Sequence, residues 1–295
     1  MSEVVASPRV TAIIIVFNGE RFIGEAIASI LAQTLTMWEL LVVDDGSTDA
    51  TGEIVARIAA TDPRIQLLRH RDGGNHGMSA TRNVGIAAAR GEYIGFLDAD
   101  DMWMPHKLAE QVAILDAAPQ TAMVYGRTQI WHSWDPSSGA PDFFYSLGVP
   151  PNKTYPAPRL FDQLLENVHQ TPTTCNALIR RDAVEAVGGF DPAFRTMFED
   201  QLFFAKVMVD FPVYVSGRWW ARYRQHDAAT SAREADADVL ALTHIRYLTA
   251  LRHHLLRGGR RFRPERLTIE RHLAIIRLRH VARTARSRLK RMMVR

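Results

Sequence analysis

Three carboxylates fall within four positions at the end of an apolar run. In YIGFLDADDMWMP (93–105) the run from Tyr93 to Leu97 stops at Asp98, Asp100 and Asp101, and Trp103 and Met104 then restore the apolar character. Like charges that close repel, and burying them is costly unless something neutralises them. In an extended segment side chains two apart share a face, so Asp98 and Asp100 point the same way with the small Ala99 between them. Hard oxygen donors of this kind suit Mg2+ or Mn2+. Magnesium takes one or two carboxylates and completes its shell with phosphate and water. A cation bridging a diphosphate would therefore account for the cluster. For a lone DxD the plainer explanation, an Asp-rich turn that ends a strand, is the stronger one.

The elements that must position these acids follow from periodicity. RVTAIIIVFN (9–18) is a β-branched run suited to a strand buried on both faces. Residues 19–35 carry Phe22, Ile23, Ala26, Ile27, Ile30 and Leu31 at helical spacing. WELLVVDD (38–45) reads as a second strand, and Ser47 or Thr48 is the expected N-cap of a helix after it. IQLLRH (65–70), the Gly-rich loop RDGGNHG (71–77), a helix from Met78 and the strand EYIGFL follow. Strands alternating with helices imply a doubly wound α/β sheet, mostly parallel and flanked by helices, with ligands bound beyond the strands' carboxyl ends. Asn18, DDGS and DADD stand at three of those ends. Beyond residue 105 the alternation weakens, and 132–160 reads as a long irregular excursion. Two helices, about 237–257 and 266–294, form a C-terminal extension. The expected division is 1–235, with a nucleotide-binding half at 9–105 and an acceptor half at 106–235, and then 236–295.

Composition narrows the class. Of 295 residues 47% are apolar and 23% charged, as in soluble globular chains. The single cysteine, Cys175, allows no intrachain disulfide and suits a reducing cytoplasm. MSEVVASPRV lacks the basic and apolar regions of a signal peptide, and no apolar run reaches the ~20 residues that span a bilayer. Residues 251–295 carry 15 Lys+Arg against 2 Asp+Glu, which leaves 21 against 30 for residues 1–250. The net charge of +4 thus hides an acidic body and a strongly basic tail.

GxxxxGK[ST] is absent, as is GxGxxG after the first strand, which argues against the common NTPase and dinucleotide-binding readings. A haloacid-type phosphatase would carry its aspartate pair after the first strand, not a later one. Together, VTAIIIVFNGERFIGEAIASILAQT, ELLVVDDGSTDAT, GMSATRNVGIAAARGEYIGFLDADD and FEDQLFF closely resemble the family-2 inverting glycosyltransferases with the GT-A fold. The resemblance covers roughly residues 9–230 and is specific in order and spacing. It implies a GT-A-type sheet and a nucleotide-sugar donor, UDP-linked by family prior, with Mn2+ or Mg2+. It places Asp45 at the nucleobase, Asp98 at the ribose or sugar, and Val16, Asn18, Arg82 and Ala99 along the donor. Asp100 and His226 fall at the metal, Asp101 is a possible second ligand, and Asp200 matches the catalytic base. TPTTCN (171–176) falls where relatives line the acceptor pocket.

The chemistry agrees with those assignments. An inverting transfer needs one group to take the acceptor's hydroxyl proton and another to stabilise charge on the leaving diphosphate, and no nucleophilic Ser or Cys. Asp200 is expected to open a helix, whose dipole favours an ionised carboxylate. Glu199 and Asp200 could equally be only caps. Trp219 and Trp220 could stack on a sugar, with core packing the better default. Arg222 and Arg224 could touch phosphates or line a solvated strand face.

In 266–294, Leu267, Leu273 or Ala274, Leu278, Val281, Ala285, Leu289 and Met292 recur at helical spacing among arginines. Such a basic amphipathic helix can lie on an anionic membrane surface, pack on the domain or form a dimer contact. No nucleic-acid recognition module is recognisable in it. The expected role is a metal-dependent transferase acting on a saccharide or lipid-linked saccharide in surface polysaccharide or glycolipid assembly, cytoplasmic and possible as a peripheral enzyme on the inner membrane face. Two alternatives stand beside it: a catalytically silent glycosyltransferase-like adaptor, and a sugar nucleotidyltransferase, whose Gly-rich loop after the first strand is replaced by FNGERF.

Overall fold

The computed structural model describes residues 7–227 and 237–293, with side chains in the last helix through Val281. The first compact unit, 1–226, is built on one ten-stranded sheet. Its first half holds β1 (Val10–Val16), β2 (Trp38–Asp44), β3 (Ile65–Arg69) and β4 (Tyr93–Asp98), in the order β3-β2-β1-β4 and all parallel. All seven residues of β1 and of β2 are buried, which is why these strands read as unbroken apolar runs rather than alternating ones. Helices α1 (Ile23–Leu31), α2 (Thr51–Ala59) and α3 (Met78–Ala88) make the crossovers.

The second half mixes directions. β5 (Met102–Trp103) leads into α4 (Lys107–Ala117) and the long β6 (Met123–Trp131). The excursion after it contains two short strands, β7 (Phe143–Phe144) and β8 (Lys153–Tyr155), before α5 (Phe161–Glu166). β9 (Leu178–Arg180) runs antiparallel between β4 and β6, followed by α6 (Arg181–Ala186). α7 (Glu199–Asp210) then precedes β10 (Val213–Arg224), which pairs in parallel with β6 and antiparallel with β5. The long ladders are parallel and the antiparallel ones short, so the mixed α/β sheet matches the expected class.

Local expectations need two corrections. Neither Ser47 nor Thr48 caps α2: the helix starts at Thr51, and the Asp49 carboxylate accepts the Thr51 N–H at 3.0 Å. Ser47 and Thr48 serve the site instead. α1 is also shorter than 19–35, because residues 19–22 form the turn that turns the chain from strand to helix.

The second unit, 227–295, contains α8 (Ala237–Arg257) and α9 (Arg263–Met293). They pack through Tyr247, Leu248, Leu251 and Leu255 of α8 and Ile269 and Leu273 of α9, all at most 2% exposed. The expected boundary at 235/236 lies outside the described residues, as does the end of YRQHDAATS. Among the described residues no helix is long and apolar enough to cross a membrane.

Candidate active site

Strand register brings the polar motifs to one edge. Val16 lies opposite Asp44 and Ile15 opposite Asp98, so β1, β2 and β4 end at the same level. Asn18, in a left-handed conformation (φ 51°), joins the first two loops. Its N–H donates to Ser47 Oγ at 2.9 Å, and its Oδ1 accepts the Thr48 N–H at 2.8 Å. The Val16 side chain belongs to the core, so only its backbone faces this edge; its carbonyl accepts the Asp45 N–H at 2.8 Å. Asp44 accepts from Ser47 N–H and from Arg69. Asp45 is 5% exposed and gathers the Gly-rich loop: Oδ1 accepts the His76 N–H at 2.7 Å and Oδ2 the Gly77 N–H at 2.9 Å. Gly77 sits at φ 86°, and a Cβ there would lie 2.8 Å from Arg195 Cβ, so only glycine presents that N–H.

The three acids of the opening motif face different partners. Asp98 Oδ1 accepts from Arg82 Nη2 at 2.8 Å and Oδ2 from Thr174 Oγ1 at 2.7 Å. Asp100 Oδ2 lies 3.0 Å from His226 Nε2. Burial, then the Asp98 charge, raises the Asp100 carboxyl above the ordinary range. Asp101 turns inward. It is 1% exposed, accepts the Arg224 N–H of β10 at 3.0 Å, and has its second oxygen buried without a hydrogen bond. Burial followed by the charges of Asp100 and Asp98 raises it well above the usual carboxylate value. Ala99, half-buried between them, packs against the core.

Arg82 is a buried clamp. Its guanidinium, 1% exposed, bonds Asp98 and also Glu199 Oε1 at 3.2 Å, beneath the Phe190 ring. It thereby ties the end of β4 to the start of α7. The residue before α7, Phe198, takes φ 62°, a conformation costly for a bulky side chain that persists only where surroundings enforce it. Asp200 follows in the first helical turn, and its Oδ1 accepts the Gln201 N–H at 2.7 Å. Burial, then the neighbouring Glu199 charge, pushes its carboxyl up to about 7.

The residues at Asp100 and His226 fit a divalent cation. The Asp100 carboxylate and the His226 imidazole, 3.0 Å apart, are the oxygen and nitrogen donors that would hold it. His226 is fixed by the Phe22 ring at 4.9 Å and lies 6.3 Å from that of Trp134, and its Nδ1 is buried without a hydrogen bond. Among the described residues no three His, Cys, Asp or Glu side chains gather into a group that could hold a metal ion.

The family model for glycosyl transferase family 2 matches residues 11–188, more than half of the chain. The chain belongs to that family. Curated relatives include an uncharacterised glycosyltransferase of Nostoc sp., 32% identical over 190 residues (62% of this chain and 54% of that protein). Another, from Rickettsia typhi, is 30% identical over 226 residues (76% and 66%). EpsJ of Bacillus subtilis, an uncharacterised glycosyltransferase, is 47% identical over 94 residues (32% and 26%). The matched segments thus span from about a quarter to two thirds of these relatives' lengths. Among solved structures, S. aureus TarS 1–349 in complex with UDP-GlcNAc superposes with a TM-score of 0.68 at 19% identity, over 93% of this chain and 73% of that one. The Pyrobaculum calidifontis mannosyltransferase in complex with GDP-Man and Mn2+ gives 0.58 at 22%, over 90% and 70%. These likenesses show the GT-A fold.

Within this family-2 chain several site residues were not legible in sequence. Thr174 and Glu199 complete the Asp98–Arg82 network, and neither spacing nor composition marks them beyond their place in TPTTCN and FEDQ. Arg224 is 2% exposed; its Nε donates to the Asp100 backbone carbonyl at 2.8 Å and its Nη2 to the Glu25 carboxylate at 2.6 Å, while its N–H bonds Asp101. It does not lie on a solvated strand face. Trp134 reaches back from the excursion to donate to the Gln225 carbonyl at 2.7 Å. Of the tryptophan pair, Trp220 is core and Trp219 is 37% exposed.

Proposed function

We propose that this chain moves a sugar from a nucleotide-sugar donor, UDP-linked, to a hydroxyl of a saccharide or lipid-linked saccharide, with inversion, in surface polysaccharide or glycolipid assembly. The observation that carries this reading is the Asp98–Arg82–Glu199 bridge. It couples the acidic end of β4 to the helix turn that bears Asp200, a carboxyl whose value near 7 suits a base at neutral pH. The superposed structures, in complex with UDP-GlcNAc or with GDP-Man and Mn2+, support a sugar-nucleotide donor and a metal.

In the proposed reaction the acceptor oxygen bonds to the anomeric carbon as the carbon–phosphate-oxygen bond breaks, and the nucleoside diphosphate leaves with the electron pair. Asp200 takes the hydroxyl proton. Asp45 orients the nucleobase, while the backbone of Val16 and Asn18 and the small Ala99 border the donor. Asp98, held by Arg82 and Thr174, accepts from ribose or sugar hydroxyls. Asp100 and His226 would hold Mg2+ or Mn2+, which would supply charge stabilisation for the diphosphate. Exposed aromatics on β7 and β10 favour a saccharide acceptor. Phe144 and Trp219 pack edge to face at 5.7 Å, Phe143 and Tyr145 form a second edge-to-face pair at 5.2 Å, and aromatic rings are suited to packing on the apolar faces of sugars.

A thermal-shift panel of nucleoside diphosphates and nucleotide sugars, with and without Mn2+, tests the reading. Metal-dependent stabilisation by one base type identifies the donor; stabilisation by none overturns it.

A further inference from the structure

The structure divides the apolar residues of α9 into two opposed sets. Ile269 and Leu273 are at most 2% exposed and face α8. Leu267, Ile275, Leu278 and Val281 are 54%, 48%, 71% and 65% exposed. At 3.6 residues per turn Leu278 lies half a turn from Ile269, and Leu267, Leu278 and Val281 stack on the outward side. Of the alternatives Leu273 and Ala274, Leu273 belongs to the inward face and Ala274 is exposed. The outward strip is therefore apolar without being needed for the hairpin's own core. Arg277 and Arg279 fall about 100° to either side of Leu278, and Arg271 lies within the strip one heptad before it. All three arginines are exposed. Ala285, Leu289 and Met292 lie beyond the described side chains.

From this juxtaposition we infer that α9 binds an anionic lipid surface, lying in its plane with Leu267, Ile275, Leu278 and Val281 inserted and Arg271, Arg277 and Arg279 on the phosphates. An in-plane helix needs an apolar strip at the acyl boundary and long cationic side chains that reach back to the headgroups, and the strip from Leu267 to Val281 is ~21 Å long. Charge selects this occupant. Residues 251–295 carry 15 Lys+Arg against 2 Asp+Glu, so a second copy meeting strip to strip would set arginine against arginine. The inference is independent of the proposed transferase chemistry, and its test requires no donor or acceptor.

The test is sedimentation of the full chain with phosphatidylcholine vesicles, with and without phosphatidylglycerol, alongside size-exclusion chromatography. The wild type is expected to pellet with the anionic vesicles about tenfold more strongly than with neutral ones, and less so at high salt. Leu278→Ser with Val281→Ser is expected to lose at least tenfold of that binding. Both positions are exposed, so the hairpin core stays intact. Arg271→Gln, Arg277→Gln and Arg279→Gln together are expected to remove the preference for anionic lipid. Three results overturn the inference: no pelleting with anionic vesicles, equal pelleting of the Leu278→Ser/Val281→Ser variant, or a wild-type dimer that this variant converts to monomer.

Discussion

Arg82→Gln is the sharpest probe of the site, because one guanidinium serves both stability and the proposed base. Arg82 is 1% exposed and bridges Asp98 at 2.8 Å and Glu199 at 3.2 Å; Glu199 is itself only 5% exposed. Removing the cation leaves two carboxylates facing each other without a counter-charge, and breaking a buried pair costs ~3–5 kcal/mol. Part of the Asp98 side chain reaches solvent, at 31%, so the lower figure applies. At ~2–4 °C per kcal/mol for a unit of this size, Tm should fall by on the order of 10 °C. The second effect is on Asp200, whose raised carboxyl is held down in part by Arg82. Without Arg82 its value rises further above about 7. Below that value the base is protonated and idle, so the acid limb of the kcat/KM profile should move to higher pH as overall activity falls. Urea unfolding and a pH–rate profile are the assays. A loss below ~1 kcal/mol together with an unmoved acid limb would refute the clamp.

Asp200→Asn should abolish transfer while leaving donor binding nearly intact, measured by turnover and by calorimetric titration of the nucleoside diphosphate. The same change should raise stability at alkaline pH. The folded carboxyl titrates above its unfolded value of ~3.9, so the wild type is penalised as pH rises through that window to about 7, and the amide is not. A gain above pH 7 that vanishes at pH 3 is the expected difference between the two unfolding curves. Asp100→Ala and His226→Ala should each weaken Mn2+ binding at least ~10-fold, read by titration calorimetry; unchanged affinity places the cation elsewhere. Asp101→Asn should fold normally, since its amide oxygen still accepts the Arg224 N–H, whereas Asp101→Ala should cost ~1–3 kcal/mol by orphaning that donor. Trp219→Ala should raise the acceptor KM several-fold and leave the donor KM unchanged; the reverse pattern removes the aromatic face from the acceptor site.

Much of the first half was legible because local and global signals coincide there. β1 and β2 are buried along their whole length, so β-branched runs map directly onto them, and their polar ends mark the edge where loops converge. The second half was not legible for a physical reason. β9 is three residues long and inserts antiparallel between β4 and β6, with partners more than 50 residues away in each case. Its position depends on long-range pairing rather than periodicity. The caps failed similarly: Ser47 and Thr48 have the right chemistry for a helix start, but a second loop competes for them through Asn18.

By itself the sequence determined the alternating α/β frame, the carboxylates at its strand ends and the split between an acidic body and a basic tail. These properties reside in residue type and spacing. The tertiary structure alone decided what each acid does. Asp98, Asp100 and Asp101 are neighbours in the chain, yet they answer to Arg82, His226 and Arg224, which lie 16, 126 and 123 residues away. It also decided which apolar face of α9 is spent on its partner helix and which is left outward. A carboxylate's charge state and a leucine's exposure follow from what packs against them, and packing brings together residues that the linear order keeps apart.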